Sequence, residues 1–144
     1  MPELHFTDQD RKSIIEAIET AEEQSSGEIQ VHIENRCTED VLDRAAEVFA
    51  LLKMHKTELR NGVLFYLAVK DHKFAVLGDK GINAVVPDHF WDDVKELMQN
   101  HFRQGEFAKG LREGILLAGN QLKSHFPYKG DGKNELPNTI SFGK

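Results

Sequence analysis

Asp79 stands between two glycines in the run Gly78-Asp79-Lys80-Gly81, directly after an apolar stretch. Hard divalent cations such as Ca²⁺ and Mg²⁺ take carboxylate and carbonyl oxygens, and glycines leave their carbonyls unobstructed. Loops at strand ends are also where open α/β sheets place ligands. Asp79 is therefore the first candidate for a metal ligand, against the alternative of a solvated turn aspartate. Asp88 is the second, because Asp88, Asp92 and Asp93 share one helical neighbourhood and could carry a carboxylate toward the same loop. The competing reading makes Asp88 an acid that satisfies free N–H groups at a helix start, and Asp92 and Asp93 solvated. Asp71, in the polar interruption Lys70-Asp71-His72, reads first as a turn residue and second as a ligand. Asn61-Gly62, before an apolar run, reads first as turn chemistry and second as a donor of oxygen or N–H to the same rim.

Other chemistries fit less well. The seven histidines show no metal-ligand spacing, and the lone Cys37 has no cysteine partner, so a zinc site is not expected. A cysteine phosphatase needs a thiolate in an anion-binding loop. Here Cys37 leads to Arg44 past Glu39, Asp40 and Asp43, whose charge repels phosphate and opposes thiolate formation. The glycine-bracketed loop also lacks the length and the Lys-Ser/Thr ending of a phosphate-binding P-loop. Metal-assisted hydrolysis remains open, with a cation plus Arg44, Arg60 or Arg103 as the positive groups. No base or nucleophile is evident for it.

A chain of 144 residues with 40% apolar and 29% charged side chains has the material for one globular core. Twenty-four acidic against eighteen basic residues give a net charge of −6, which disfavours nucleic acid as a partner. A single cysteine excludes an internal disulfide. Without a secretory leader or a long apolar run, a cytoplasmic location and no membrane insertion are expected.

The elements that must position these residues follow from periodicity. Thr7, Asp8 and Asp10 read as an N-cap with acid in the first turn, and Ile14, Ile15, Ile18 and Ala21 continue the helix until Ser25-Ser26-Gly27. Glu28 to Glu34 alternates, with Ile29, Val31 and Ile33 on one side, as in a half-buried strand. A second helix starts near Thr38-Glu39-Asp40 and carries Leu42, Ala45, Ala46, Phe49 and Leu52 inward. Val63 to Val69 is apolar on both faces, as in a central strand covered from both sides. It pairs as a hairpin with Phe74 to Leu77, so the sheet is mixed. Pro87 suits the first turn of a helix bearing Phe90, Trp91, Val94, Leu97 and Met98. A last helix runs from about Glu106 to before Pro127. Residues 128–144, poor in apolar groups, read as a flexible tail after a domain spanning 1–127.

Four segments match one family in order and spacing: Ser26-Gly27-Glu28-Ile29-Gln30-Val31, Asn61-Gly62-Val63-Leu64, Gly78 to Gly81 followed by Pro87-Asp88, and Phe102-Arg103-Gln104-Gly105-Glu106-Phe107 with Gly110. Over about residues 7 to 126 the chain resembles the TPM-domain family. The resemblance implies a three-layer α/β/α sandwich around a mixed sheet of about four strands. It also implies the divalent-cation site reported for some relatives, and the acid-phosphatase activity proposed for plant thylakoid members that act in photosystem repair. Glu28 and Glu106, inside the family-like motifs, join Asp79, Asp88 and Asp71 as metal candidates on that ground; their alternatives are a strand start and a first helical turn. The signal peptide and membrane helix of many relatives are not expected here. Three functions remain open: a weak Ca²⁺ or Mg²⁺ module that supports a partner-binding surface, a metal-dependent acid phosphatase, and a metal-independent protein-interaction domain.

Overall fold

The computed structural model describes residues 5–127 and 136–144. Helix α1 (Asp8–Gln24) opens with a reciprocal cap, the Thr7 hydroxyl accepting from Asp10 N and the Asp10 carboxylate accepting from Thr7 N. Strand β1 (Glu28–Glu34) leads to α2 (Val41–Leu51), whose N-cap is Asp40 rather than Thr38 because Asp40 reaches the N–H groups of Leu42 and Asp43. Strands β2 (Gly62–Ala68) and β3 (Lys73–Gly78) form the expected antiparallel hairpin.

Helix α3 (Lys80–Asn83) is one turn long, and Asp79 is its N-cap. Helix α4 (Asp92–Arg103) begins five residues beyond Pro87, later than the sequence suggests, because Pro87 opens a separate turn closed by Phe90 N donating to Pro87 O. Gly105, at φ 77°, makes the left-handed reversal into α5 (Phe107–Leu122) that a side chain would disfavour.

The sheet is four-stranded, in the order β3-β2-β1-β4. Its fourth member, β4 (Ile140–Phe142), comes from the stretch read as a tail and pairs parallel with β1. Ile140 and Phe142 pack against the larger core, and Gly143 N donates to Ile33 O. Two apolar side chains and three residues of pairing are too faint a pattern to stand out against the polar stretch before them. Residues 128–135 of the expected tail lie outside the described residues. Among the described residues no helix is long and apolar enough to cross a membrane.

Three layers result. Ile29, Val31, Ile33, Val63, Phe65 and Leu67 meet α1, α4 and α5 on one face, and Leu64, Tyr66, Ala68 and Ala75 meet α2 on the other. The all-apolar β2 is central, as expected. β1 departs from its half-buried reading: all seven residues are buried, the four polar ones included. The parallel register of β1 on β2 carries Glu28 beside Gly62 and Glu34 beside Ala68, so both strands share the same cover.

Where α3 meets the loop before β2, a Cβ on Gly81 would fall on the backbone carbonyls of Leu59 and Arg60. Backbone cannot swing aside as a side-chain tip can. Gly81→Ala is expected to lower stability by roughly 1–3 kcal/mol in urea unfolding, the usual scale for overpacking.

Candidate functional site

Register separates the sequence candidates. Glu28 pairs with Gly62, and Val63 pairs with Gly78, so Glu28 and Asp79 lie at the same end of the sheet. Asp71 lies at the other end, in the turn joining β2 to β3, where its carboxylate accepts from Cys37 N at 2.7 Å and from Arg36 Nη1 at 3.2 Å. Glu106 stands at the start of α5, where its carboxylate makes no cap bond but pairs with His101 Nδ1 at 3.0 Å, a bond that lowers its pKa. Asp88 is exposed between α3 and α4.

The Asp79 carboxylate is nearly buried and already matched. Oδ2 accepts from Arg60 Nε at 2.8 Å; Oδ1 accepts from Arg60 Nη2 at 3.0 Å and from Lys80 N at 2.8 Å. This two-pronged pair holds Arg60 at φ 52°, in the left-handed region, at the entry to β2. A cation at Asp79 would have to displace a guanidinium.

The corner between α1 and β1 is different in kind. Glu22, from the last turn of α1, accepts Ile29 N at 2.9 Å, and Glu28 Oε1 accepts Leu136 N at 2.7 Å. Gln30, on the same strand face as Glu28, donates through Nε2 to Pro137 O at 3.1 Å. Glu28 and Gln30 thus grip adjacent residues of one returning segment, and Asn138 of that segment bonds Glu22. Burial drives the Glu22 carboxyl up to about 7; the Ile29 amide opposes this and the charge of Glu28 adds to it. Gln30 is 5% exposed, and its Oε1 is buried with no hydrogen-bond donor. Asn61 Oδ1, at the same sheet end, is a second buried oxygen without a donor. Among the described residues this corner gathers several acceptor oxygens. Among the described residues no three His, Cys, Asp or Glu side chains converge on a metal-sized site, so a cation here would draw on amide oxygen as well as on the two carboxylates.

At the opposite end of β1, donors and acceptors balance. Glu34 accepts from Arg44 Nε at 2.9 Å, from Arg44 Nη2 at 2.8 Å, from the Tyr66 hydroxyl and, at Oε1, from His32 Nε2 at 3.0 Å. His32 Nδ1 lies 2.7 Å from Ser141 Oγ. Burial alone would raise the Glu34 carboxyl, but the bonds from Arg44, Tyr66 and His32 outweigh it and hold the group at about 2. Burial, reinforced by Glu34, raises the Tyr66 hydroxyl, and burial lowers His32 despite the neighbouring carboxylate.

The sequence alone singles out none of Glu22, Gln30, His32, Glu34, Tyr66 and Ser141, and Arg44 enters there only as a positive group for phosphate. One signal was present. A strand apolar on both faces implies cover on both sides, and its parallel neighbour must share it, which turns four alternating polar residues into interior groups.

The depressed Glu34 pKa has a definite sign. Between the ordinary value of 4.5 and about 2 the unfolded chain binds the proton and the native state does not, so stability present above 4.5 is lost as the pH falls through this window. Unfolding midpoints measured across that range should decline in the native protein, and Glu34→Gln should flatten that part of the decline.

A family model described as the TPM domain matches residues 3–121. The NMR structure of BA42 from the psychrophilic bacterium Bizionia argentinensis is 51% identical, with a TM-score of 0.91, covering 96% of this chain and 95% of that one. The N-terminal domain of a protein from P.gingivalis aligns at 17% identity and a TM-score of 0.70, covering 85% of this chain and 80% of that one. The N-terminal domain of cg2496 from Corynebacterium glutamicum aligns at 12% and 0.65, covering 94% and 79%; these last two likenesses bear on the fold alone. No curated protein matches. A family model spanning most of the chain, together with a solved structure sharing half its residues, shows that this protein belongs to the TPM-domain family.

Proposed function

We propose that this TPM domain is a divalent-cation-binding module, and that it holds the cation at the α1–β1 corner through Glu22, Glu28 and Gln30. The observation that carries the reading is Gln30 Oε1, a buried amide oxygen with no donor among the described residues, on the strand face of Glu28, whose charge in turn raises the Glu22 carboxyl. Hard cations take this mixture of carboxylate and amide oxygens, and a bound ion would relieve the repulsion and satisfy the orphan oxygen together. Ca²⁺ suits an irregular oxygen set better than Mg²⁺, which demands near-octahedral geometry. With two carboxylates, affinity is expected at the weak end, on the order of 10⁻⁴ to 10⁻³ M.

The other candidates fit a cation less well. Both Asp79 oxygens are taken by Arg60 and Lys80, Asp71 ties Cys37 and Arg36 together, Glu106 faces His101, and Asp88 is exposed. The ion would supply positive charge, not turnover. A phosphatase reading needs positive groups aimed at substrate, and Arg44 and Arg60 are each engaged by a carboxylate. Glu28 and Gln30 also hold Leu136 and Pro137, so a cation at this corner would stiffen the returning segment and the surface that it offers to a protein partner.

The test is a Ca²⁺ and Mg²⁺ titration read by residue-resolved amide shifts. Saturable shifts are expected over Glu22 to Gln30 and Leu136 to Asn138, lost in Glu22→Gln and in Glu28→Gln. Asp79→Ala should leave the Kd unchanged while lowering stability by about 0.5–2 kcal/mol through its lost cap. Shifts centred on Gly78 to Gly81 and Asp88 would move the site to that loop, and no saturable shift would end the cation reading in favour of a metal-independent interaction domain.

A further inference from the structure

Ser141, His32 and Glu34 form a line of hydrogen bonds that neither the family nor the cation reading uses. Ser141 Oγ lies 2.7 Å from His32 Nδ1, and His32 Nε2 lies 3.0 Å from Glu34 Oε1. The three residues stand together because β4 pairs parallel with β1 so that Ser141 is the register partner of His32, while Glu34 follows two residues along β1 on the same face. Gly143 permits the approach: a Cβ there would sit 2.5 Å from Glu34 Oε1 and 3.0 Å from His32 Nε2.

The proton positions follow from chemistry. Ionised Glu34 only accepts, and it is held by Arg44 and Tyr66. The proton of His32 therefore resides on Nε2, directed at Glu34, and Nδ1 presents its lone pair to the Ser141 hydroxyl. Val31 O, the other acceptor near Ser141 Oγ, is more distant at 3.3 Å. A nucleophile bonded to a base that is itself oriented by a third group is the arrangement of activated-serine hydrolases, with the two ring nitrogens exchanged relative to the usual order.

The backbone adds a donor. Gly143 N points at β1, where it donates to Ile33 O, and parallel pairing alternates along a strand, so the N–H of Phe142 points away from β1. β4 lies at the edge of the sheet, which leaves that N–H facing outward beside the serine. A donor on the residue after the nucleophile is suited to an oxyanion formed during acyl transfer. Ser141 is half-buried rather than enclosed.

We propose that Ser141 is an acyl-accepting nucleophile, with His32 as its general base and Glu34 as the positioning residue, acting on small uncharged carboxylic esters. Ser141 Oγ adds to the ester carbonyl carbon as its proton passes to His32 Nδ1. The C–O bond to the leaving alcohol then breaks, and the alcohol takes that proton, leaving an acyl-serine. Water adds to the acyl carbon with the same proton transfers in reverse, which releases the carboxylic acid and restores the serine. Esters fit better than phosphate monoesters because Arg44, the guanidinium of the cluster, already serves Glu34. The inference is independent of the cation reading, since no step uses a metal.

The test treats the full chain with p-nitrophenyl acetate and follows nitrophenolate release, intact mass and the position of the acetyl group by peptide mapping. Nitrophenolate release is expected, with one acetyl group on Ser141 when the reaction is acid-quenched before the acyl-serine hydrolyses, and both are absent in Ser141→Ala, whose amide spectrum should otherwise match the native protein. His32→Gln should slow acetylation about a hundredfold, the scale of general-base catalysis. Chelator should change nothing. Acetyl groups found only on lysines, an undiminished rate in Ser141→Ala, no nitrophenolate release above the uncatalysed rate, or a rate that collapses with chelator would each overturn the proposal.

Discussion

The side chains of Glu28, Gln30, His32 and Glu34 project from a strand that is buried on both faces, and the rest of the structure must answer them. An ionised carboxylate taken out of water costs several kcal/mol unless opposite charge and hydrogen bonds meet it. Glu34 is met by Arg44 from α2, by the Tyr66 hydroxyl from the neighbouring strand and by His32 from its own. These partners tie the helix layer, the central strand and the edge of the sheet to one carboxylate. Cys37 and Asp71 extend the tie, joining the loop after β1 to the hairpin turn.

The two ends of β1 solve that problem differently, and the difference divides their chemistry. Around Glu34 donors are plentiful, and the group stays ionised at neutral pH. Near Glu28 the buried Glu22 carboxyl is pushed toward its neutral form. The first environment orients a histidine; the second holds the returning segment at Leu136 and Pro137. Asp79 illustrates a third outcome, in which a carboxylate in a glycine-bracketed loop serves as a cap and an ion-pair partner within the fold. A Gly-Asp-Lys-Gly run therefore does not by itself distinguish a ligand from a structural anchor.

Much of the scaffold was legible along the chain. The Thr7 cap, the apolar stripes of α1 and α5, and the two-faced apolar run of β2 are local signals, and each is found where periodicity places it; α2 is rotated from its expected stripe, burying Ala45, Val48 and Phe49 while Leu42 and Ala46 face outward. The late start of α4 and the short α3 were less legible because Pro87 is compatible with both a turn and a first helical turn. β4 was missed since three residues with two apolar side chains form no period, and it is held by contacts more than a hundred residues away in sequence.

The sequence by itself determined that this is a mixed α/β chain of the TPM type, with one apolar central strand and acid concentrated near its turns. Only the tertiary structure decided which acids are charged, which are paired and which are neighbours. Parallel pairing of β1 with β2, and of β4 with β1, turned an alternating strand into an interior one and carried Ser141 to His32 and Leu136 to Glu28. Periodicity reports which side of an element a residue occupies. What stands across from that side is set by long-range pairing, and the protonation and bonding of a buried polar group depend on it.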